Sequence, residues 1–207
     1  MKKKIIHLLR HAKTDANTLN LIAGTVDRDL NEVGIAETQE FKRWGSYDDG
    51  VQFCYTSCQK RAIQTREIAY PDLPFKTDPR LNEIDFGDYE DTNFIMCKDD
   101  PFYRAWITQD NRMLITAPGG EEISEARKRV AAALRDSILE MDAKGITEYA
   151  VIGHGNLFAE LTYLYLHDDR NVKTRIDSTF PNGLGIRVWG FINDEGEMEL
   201  EYLDDIR

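Results

Sequence analysis

Cysteine, proline and long apolar runs are all scarce in this 207-residue sequence. The three cysteines, Cys54, Cys58 and Cys97, form no Cys-x-x-Cys pair, and a chain of this length does not need disulfides to stabilise a core. An odd number of unclustered cysteines favours a reducing compartment, so we expect a cytoplasmic protein. Six prolines and 14 glycines exclude the fibrous and disordered classes. No apolar run approaches the roughly 18 residues that a membrane-spanning helix needs.

An excess of positive charge is also absent. The chain has 37 acidic against 26 basic residues, which gives a formal net charge of −11. Such a chain repels nucleic acids and anionic membranes unless its basic residues cluster locally, so we expect neither as a partner. The basic start MKKKIIHLLR does not change this, because its apolar stretch is too short for a signal peptide. The sequence leaves the oligomeric state open.

Short apolar runs alternate with helical patterning along the chain. Runs at 4–9, 51–56 and 148–153 are almost continuously apolar, as in strands buried on both faces of a parallel sheet. Four stretches have helical patterning: 32–45, 58–69, 121–141 and 156–166. Two further runs flank the turn at 193–196 and predict a hairpin at a sheet edge. The pattern predicts an α/β sandwich formed by a single domain, 1–207.

Residues 88–118 fit this alternation poorly. They place five aromatic residues among charged ones: Tyr89, Phe94, Phe102, Tyr103 and Trp106. This composition suggests a helical flap that lies over a binding site. The alternative is an ordinary surface excursion whose aromatic side chains anchor it to the core.

Arginine and histidine residues follow the predicted strands at the points where they end. Arg10 and His11 end the first run, and His154 and Gly155 follow the last. Arg61 comes about one helical turn after the middle run. The carboxyl ends of parallel strands share one edge of a sheet, where helix N-termini attract anions. Because guanidinium groups suit phosphate oxygens, the sequence predicts an electropositive phosphate pocket in an acidic protein.

A histidine in such a pocket can react with phosphate as well as bind it. A neutral imidazole is a nucleophile, and nearby cations should keep His11 neutral while stabilising charge on the phosphoryl oxygens. His154 would add to the cations if it were protonated. The leaving alkoxide needs a proton from a carboxyl group with a raised pKa, for which Glu83 is the candidate. Four other carboxyl groups nearby remain open alternatives: Asp85, Asp88, Glu90 and Asp91.

Other phosphatase chemistries do not fit the sequence. A cysteine-dependent enzyme needs Cys-x5-Arg, whereas the residues six positions after the cysteines are Lys60, Gln64 and Tyr103. An Asp-x-Asp-x-Thr motif after a buried strand, an HExxH motif and a Walker loop are all missing. We therefore expect no metal and no cofactor.

Six segments between residues 8 and 156 resemble, in order, the motifs of one known family. LLRHAKTDAN is similar to its Arg-His-Gly signature, GTVDRDLNEVG to its glycine-containing loop, and SCQKRAIQT to its Ser-x-x-x-Arg-Ala-x-Gln-Thr segment. LNEIDFGDYED is similar to the stretch with the proton donor, PGGEE to a Pro-Gly-Gly-Glu-Ser motif, and VIGHGN to the strand end with the second histidine. The chain thus resembles the histidine phosphatase superfamily, also called the phosphoglycerate mutase-like family.

The resemblance implies a three-layer α/β/α sandwich with a mixed, mostly parallel central sheet and a small helical cap at about 88–118. It also implies a metal-independent phosphatase of the histidine acid phosphatase type, acting on a small phosphorylated metabolite. His11 would be the phosphorylated nucleophile and Glu83 the general acid, then the base for water. The remaining implied site residues are the phosphate-binding Arg10, Arg61 and His154 and the substrate-binding Asn17, Gly24 and Gly155.

The chain departs from the family motifs at several positions. Ala12 replaces the usual glycine, Lys13 adds a positive charge near the pocket, and Asp91 stands where glycine commonly follows Glu90. Ala16 occupies the place of a tryptophan in the mutase signature, and the chain is somewhat short for that branch. These features favour the phosphatase branch. The open alternatives are a phosphoglycerate mutase and a non-catalytic module that binds phosphate or a phosphoprotein.

Overall fold

The computed structural model describes residues 2–101, 103–104, 116–166 and 180–207. The strands in these ranges are β1 Lys4–Arg10, β2 Cys54–Thr56, β3 Phe75–Thr77, β4 Glu148–Gly153, β5 Gly185–Ile192 and β6 Met198–Ile206. The helices are α1 Asp15–Thr18, α2 Glu32–Arg43, α3 Lys60–Ala69, α4 Ile123–Ala143 and α5 Gly155–Tyr165. Short 3-10 turns cover Pro79–Leu81, Gly87–Tyr89 and Met96–Asp99.

The six strands form one mixed sheet in the order β3-β2-β4-β1-β5-β6. The four strands β3, β2, β4 and β1 run parallel, β5 is antiparallel to β1, and β6 is antiparallel to β5. The predicted mixed, mostly parallel sheet is therefore confirmed, as is the C-terminal hairpin. Arg10 at the end of β1 lies opposite Gly153 at the end of β4. This register brings the residues that follow the two strands to the same level of the sheet edge.

Apolar residues of the central strands are buried on both faces of the sheet. Leu8 packs in a cluster with Leu134 of α4 and Leu157 of α5. Leu9, the next residue of β1, belongs instead to the cluster that contains Ala62 of α3. Since successive strand side chains point to opposite faces, a continuously apolar run requires a covering layer on each side. The result is the predicted three-layer arrangement of helices, sheet and helices.

Helix α4 has the apolar stripe that the sequence predicts. Ile123, Val130, Leu134, Ile138 and Met141 are all buried along one side of this 21-residue helix. Their spacing of three to seven residues follows the helical repeat, which places them on one face. The helix begins two residues later and ends two residues later than the predicted range of 121–141.

Strand β3 is absent from the sequence prediction, which treats the proline-bounded segment around it as a joint. Phe75–Thr77 pairs in parallel with β2 at the edge of the sheet, and all three residues are exposed. Three exposed residues carry neither an apolar run nor a clear alternation. The segment therefore forms a strand because it pairs with β2, and its own residue pattern does not predict one.

The two ends of the 88–118 insertion meet at its base. The Asp88 peptide N–H donates to the Pro118 carbonyl over 2.8 Å. Tyr103 is buried and its ring centroid lies 6.1 Å from that of Tyr89, so these two aromatic side chains anchor the segment. Phe94 is 41% exposed. Two further aromatic residues named in the sequence prediction, Phe102 and Trp106, lie outside the described residues.

Helices of the described part of the chain are too short or too polar to cross a membrane. The three cysteines have free thiols, and Cys54, the first residue of β2, is buried. Burial raises the pKa of the Cys54 thiol to about 12, so this thiol is protonated at neutral pH.

Candidate active site

His11 follows β1 directly and is almost completely buried. Its Nδ1 donates a hydrogen bond to the Ala12 carbonyl oxygen over 2.7 Å, because a carbonyl can only accept. The proton of the neutral ring therefore resides on Nδ1, and Nε2 carries the lone pair. Burial, followed by the charges of Arg61 and Arg10, holds the pKa of His11 well below its usual 6.5. At neutral pH the imidazole is therefore uncharged.

His154 follows β4 and lies beside His11, with 5.2 Å between the ring centroids. Its Nδ1 accepts from Nε of Arg61 over 3.3 Å, and its Nε2 donates to Oγ of Ser57 over 2.8 Å. Burial and the charge of Arg61 are the largest causes that hold its pKa well below 6.5. His154 is therefore neutral in this arrangement and does not provide the third cation that a protonated ring would supply.

Arg61 lies in the first turn of α3, where it is 1% exposed. Its guanidinium donates to the carbonyls of Gly24 over 2.8 Å and Val26 over 2.9 Å, in addition to its bond with His154. Burial lowers the pKa of Arg61, and the carboxylate of Glu83 opposes this effect. Because a guanidinium retains its charge in proteins, Arg61 brings a fixed positive charge to the two imidazoles.

Arg10 provides the second guanidinium of the site. The side chain is half-buried and donates through Nη1 to the Phe180 carbonyl over 3.1 Å. A Cβ atom at Gly155 would lie 3.1 Å from Nε of Arg10. Glycine at the start of α5 thus lets the guanidinium pack against the helix backbone. The structure brings Arg10, Gly155 and the histidine pair together at one sheet edge.

Glu83 follows the short 3-10 turn at Pro79–Leu81, and its buried carboxylate bonds to the first turn of α5, which begins directly after His154. One carboxylate oxygen accepts from the peptide N–H groups of Ile84 and Leu157, each over 3.0 Å. The other accepts from the Asn156 peptide N–H over 3.2 Å. These bonds favour the ionised form, but burial outweighs them and raises the pKa of Glu83 above its usual 4.5. A buried carboxyl group with a raised pKa is suited to proton donation.

Glu90, one of the alternative acids, has a different environment. Its carboxylate accepts from the peptide N–H groups of Gly24, over 3.0 and 3.1 Å, and of Thr25, over 3.0 Å. A Cβ atom at Gly24 would lie 2.1 Å from the Ile84 carbonyl, so only glycine fits there. Gly24 thus anchors the loop at 24–26 between Glu90 and Arg61.

Asn17 has a local structural contact. Its side-chain oxygen accepts from the Thr14 peptide N–H over 3.0 Å and from the Thr14 hydroxyl over 3.1 Å. This reciprocal capping arrangement begins α1, the helix that follows His11. A role for Asn17 in contacting substrate stays a prediction.

The departures from the family motifs have structural explanations. Asp91 has a φ of +60°, a left-handed conformation that glycine adopts without strain, and its carboxylate pairs with Arg28. Ala12 is not in the left-handed region, so glycine is not required there. Lys13 forms an ion pair with Glu37 over 2.7 Å, which offsets the extra positive charge expected near the pocket.

Two buried residues near the site were missed by the sequence analysis as site residues. The helix predicted at 58–69 begins at Lys60, with Gln59 as its N-cap, and the Ser57 hydroxyl accepts from Nε2 of His154. Gln59 bonds to both Arg61 and the Glu83 peptide N–H. Both residues lie in the recognised segment SCQKRAIQT immediately after β2, and that position was the available signal.

One group of described side chains has potential metal ligands within 4.8 Å of one another: His7, Asp48 and Glu148. His7 lies within β1, and Glu148 begins β4, so the group is away from the sheet edge with His11. Arg187 pairs with Asp48 over 3.2 Å and provides a positive charge there. Side chains of this group are thus joined by ion pairs to each other and to Arg187.

Comparisons with known proteins agree with this geometry. The family model described as histidine phosphatase superfamily (branch 1) matches residues 6–179. A 2,3-bisphosphoglycerate-dependent phosphoglycerate mutase of Methylobacterium sp. is 34% identical over 167 residues, which cover 74% of this chain and 76% of the relative. The structure is similar to a mycobacterial glucosyl-3-phosphoglycerate phosphatase, with a TM-score of 0.79, 19% identity and coverage of 99% and 98%. It is equally similar to a phosphoglycerate mutase from Bacillus anthracis, with a TM-score of 0.79, 19% identity and coverage of 99% and 94%.

Proposed function

Since the chain belongs to the histidine phosphatase superfamily, we propose that it is a cytoplasmic, metal-independent phosphatase that hydrolyses small phosphomonoesters through a phosphohistidine at His11. The observation that carries this proposal is the state of His11. Its ring is neutral, its proton is held on Nδ1 by the Ala12 carbonyl, and two arginines lower its pKa. These are the properties that a nucleophilic imidazole needs.

The reaction takes place in two displacements. Nε2 of His11 attacks phosphorus, the ester P–O bond breaks, and the carboxyl group of Glu83 gives its proton to the leaving alkoxide. Arg10 and Arg61 stabilise the charge on the equatorial oxygens. The Glu83 carboxylate then takes a proton from water, whose oxygen attacks the phosphohistidine. The P–N bond breaks, and inorganic phosphate and free His11 are released.

His154 holds the same phosphoryl group from the other side. A bound phosphate dianion favours a positive charge on an adjacent imidazole and so raises the pKa of His154 when substrate binds. The segment at 88–118, whose ends are joined by the bond between Asp88 and Pro118, would select the organic part of the substrate.

A phosphoglycerate mutase is the second candidate, favoured by the 34% identity to an enzyme with that name. The alignment covers nearly equal shares of both chains, so chain length does not separate the two proteins. Ala16 in the place of the signature tryptophan favours hydrolysis. A binding module without turnover is the third candidate, but phosphate binding alone does not require a buried acid such as Glu83.

A panel of phosphorylated metabolites tests the proposal. Sugar phosphates, phosphoglycerates and nucleotides are incubated with the wild-type protein and with His11→Ala, and released phosphate is measured. We expect release from at least one ester by the wild type only. Interconversion of 2- and 3-phosphoglycerate before any phosphate release would favour the mutase. Phosphate binding without turnover, unchanged by His11→Ala, would favour the binding module.

A further inference from the structure

Gln59 connects three parts of the site. The residue is the N-cap of α3 and is 6% exposed. Its Nε2 donates to the Gly24 carbonyl over 2.6 Å. Its Oε1 accepts from Nη2 of Arg61 over 3.1 Å and from the Glu83 peptide N–H over 3.0 Å. One amide group thus bridges the loop at 24–26, a phosphate-binding arginine and the candidate acid.

The orientation of this amide is determined by its partners. The Gly24 carbonyl can only accept, so it must face the NH2 group of Gln59. The guanidinium of Arg61 and the peptide N–H of Glu83 can only donate, so both must face the oxygen. All three contacts require the same orientation, and the reversed amide would lose each of them.

The groups that bond to Gln59 differ in whether they also have other hydrogen-bond partners. The Gly24 carbonyl also accepts from Arg61, so it remains paired without Gln59. The Glu83 peptide N–H bonds to Gln59, while Arg129 donates to the Glu83 carbonyl over 3.2 Å. The backbone of Glu83 is therefore held on its N–H side by Gln59 and on its carbonyl side by Arg129. Loss of the Gln59 bond removes the contact that fixes the Glu83 backbone relative to Arg61, although the carboxylate keeps its bonds to the peptide N–H groups of Asn156 and Leu157.

We propose that Gln59 is a positioning residue that holds the acid Glu83 in register with Arg61, so that leaving-group protonation coincides with phosphoryl transfer. The inference rests on the proposed function, because it concerns the same site. Displacement of a catalytic group by a fraction of an ångström to one ångström strongly reduces the rate of the step it assists. The effect should therefore be largest for substrates that depend on the proton from Glu83.

The test compares two esters with Gln59→Leu. The p-nitrophenolate leaving group needs no proton, whereas an alkyl phosphate such as glycerol 2-phosphate does. We expect kcat/KM for the alkyl ester to fall about tenfold more than kcat/KM for p-nitrophenyl phosphate. This constant reports the phosphoryl-transfer step, whereas kcat also includes hydrolysis of the phosphohistidine, in which Glu83 acts identically for both esters. Equal losses for the two esters, with the wild type active, would overturn the inference, since a merely structural defect lowers both alike.

Gln64→Leu is the matched control. Gln64 lies on the same helix and also bonds to a loop, accepting from the Leu30 peptide N–H and donating to Asp29, each over 2.8 Å. It has no contact with Glu83 among these bonds, so the ratio of the two kcat/KM values should stay within about twofold of wild type. A changed ratio in this control would also count against a special role for Gln59.

Gln59→Glu provides a test that does not depend on the folding of the leucine variant. The glutamate retains an oxygen for the Glu83 peptide N–H and for Arg61, but it places a second carboxylate oxygen against the Gly24 carbonyl and adds a negative charge to the pocket. We expect kcat/KM to fall for both esters, while the ratio of the alkyl to the p-nitrophenyl value stays within about threefold of wild type. A ratio as low as that of Gln59→Leu would overturn the inference.

Phosphate affinity separates this inference from the proposed function. Binding of inorganic phosphate, followed by phosphorus NMR, should be about tenfold weaker in Gln59→Leu, because Nη2 of Arg61 loses the Gln59 oxygen that helps to orient it, and unchanged in Gln64→Leu. A wild type that binds phosphate but turns over neither ester contradicts the proposed function alone. Unchanged phosphate affinity in Gln59→Leu contradicts the positioning of Arg61.

Discussion

Two buried histidines four positions apart show how partners decide what an imidazole can do. His7 lies within β1, where its Nε2 bonds to the Glu148 carboxylate over 2.8 Å. His11 lies just beyond the strand and bonds to the Ala12 carbonyl, with arginines nearby. Burial lowers both pKa values. At His7 the Glu148 carboxylate opposes that effect more strongly than Arg187 adds to it, whereas at His11 both Arg61 and Arg10 add to it. The charges nearest His11 therefore favour a bound phosphate, and those nearest His7 are of mixed sign.

The largest expected effect separates these two histidines. His11→Ala should reduce kcat/KM for phosphomonoesters by about 10,000-fold or more, because it removes the nucleophile. His7→Gln should leave kcat/KM within about threefold, since glutamine can still donate to Glu148 and the site is elsewhere. Steady-state kinetics of both variants provide the measurement. Comparable losses of kcat/KM in the two variants would contradict the distinction between His7 and His11.

Two buried or half-buried glutamates give the next comparison. Glu83→Gln should lower kcat/KM for an alkyl phosphate about 100- to 1,000-fold, because an amide cannot protonate the leaving group in the phosphoryl-transfer step that this constant reports. The loss for p-nitrophenyl phosphate should be much smaller. Glu148→Gln, at the His7 cluster, should leave both rates nearly unchanged and affect only thermal stability. An equal loss of both rates in Glu83→Gln would contradict its role as the acid.

The pH dependence of stability sharpens the comparison further. A histidine whose pKa is lowered by folding binds fewer protons in the folded state, so stability falls as pH drops below the unfolded value of about 6.5. The contribution of Glu83 to the pH dependence of stability has the opposite sign. Its raised pKa stabilises the folded state at low pH, and this stabilisation is lost as pH rises through that pKa. His11→Gln should therefore lose less stability than wild type between about pH 6.5 and 5, by at most about 1.4 kcal/mol per pH unit. Thermal unfolding at several pH values tests this, and identical slopes would argue against a lowered His11 pKa.

A position near the site but outside its chemistry should show the smallest effect. Asp91→Gly relieves the left-handed strain at φ +60°, which costs about 1 kcal/mol, and removes a half-exposed ion pair with Arg28 that contributes less. We expect a gain in unfolding free energy below about 1 kcal/mol and unchanged kcat. Chemical denaturation measures the gain, and a clear loss of stability would mean that the ion pair outweighs the strain.

The difference between local and distant determinants explains what the sequence could predict. The adjacency of His11 and His154 follows from two apolar strands that must end at one edge of a parallel sheet. The contacts of Gln59 could not be predicted, because they depend on loops at 24–26 and 83 that meet only in the folded chain. The neutral state of His154 likewise depends on the orientation of Arg61, for which the sequence has no signal.

Direct detection of the covalent intermediate tests the central claim, that His11 and not another buried group accepts the phosphoryl group. The wild type is mixed with an ester carrying a radiolabelled phosphoryl group, quenched within the first turnover under alkaline conditions and digested, and the peptides are identified. The account predicts acid-labile, alkali-stable label on His11 and none on His7. Label on another residue, or full turnover by His11→Ala, would contradict it.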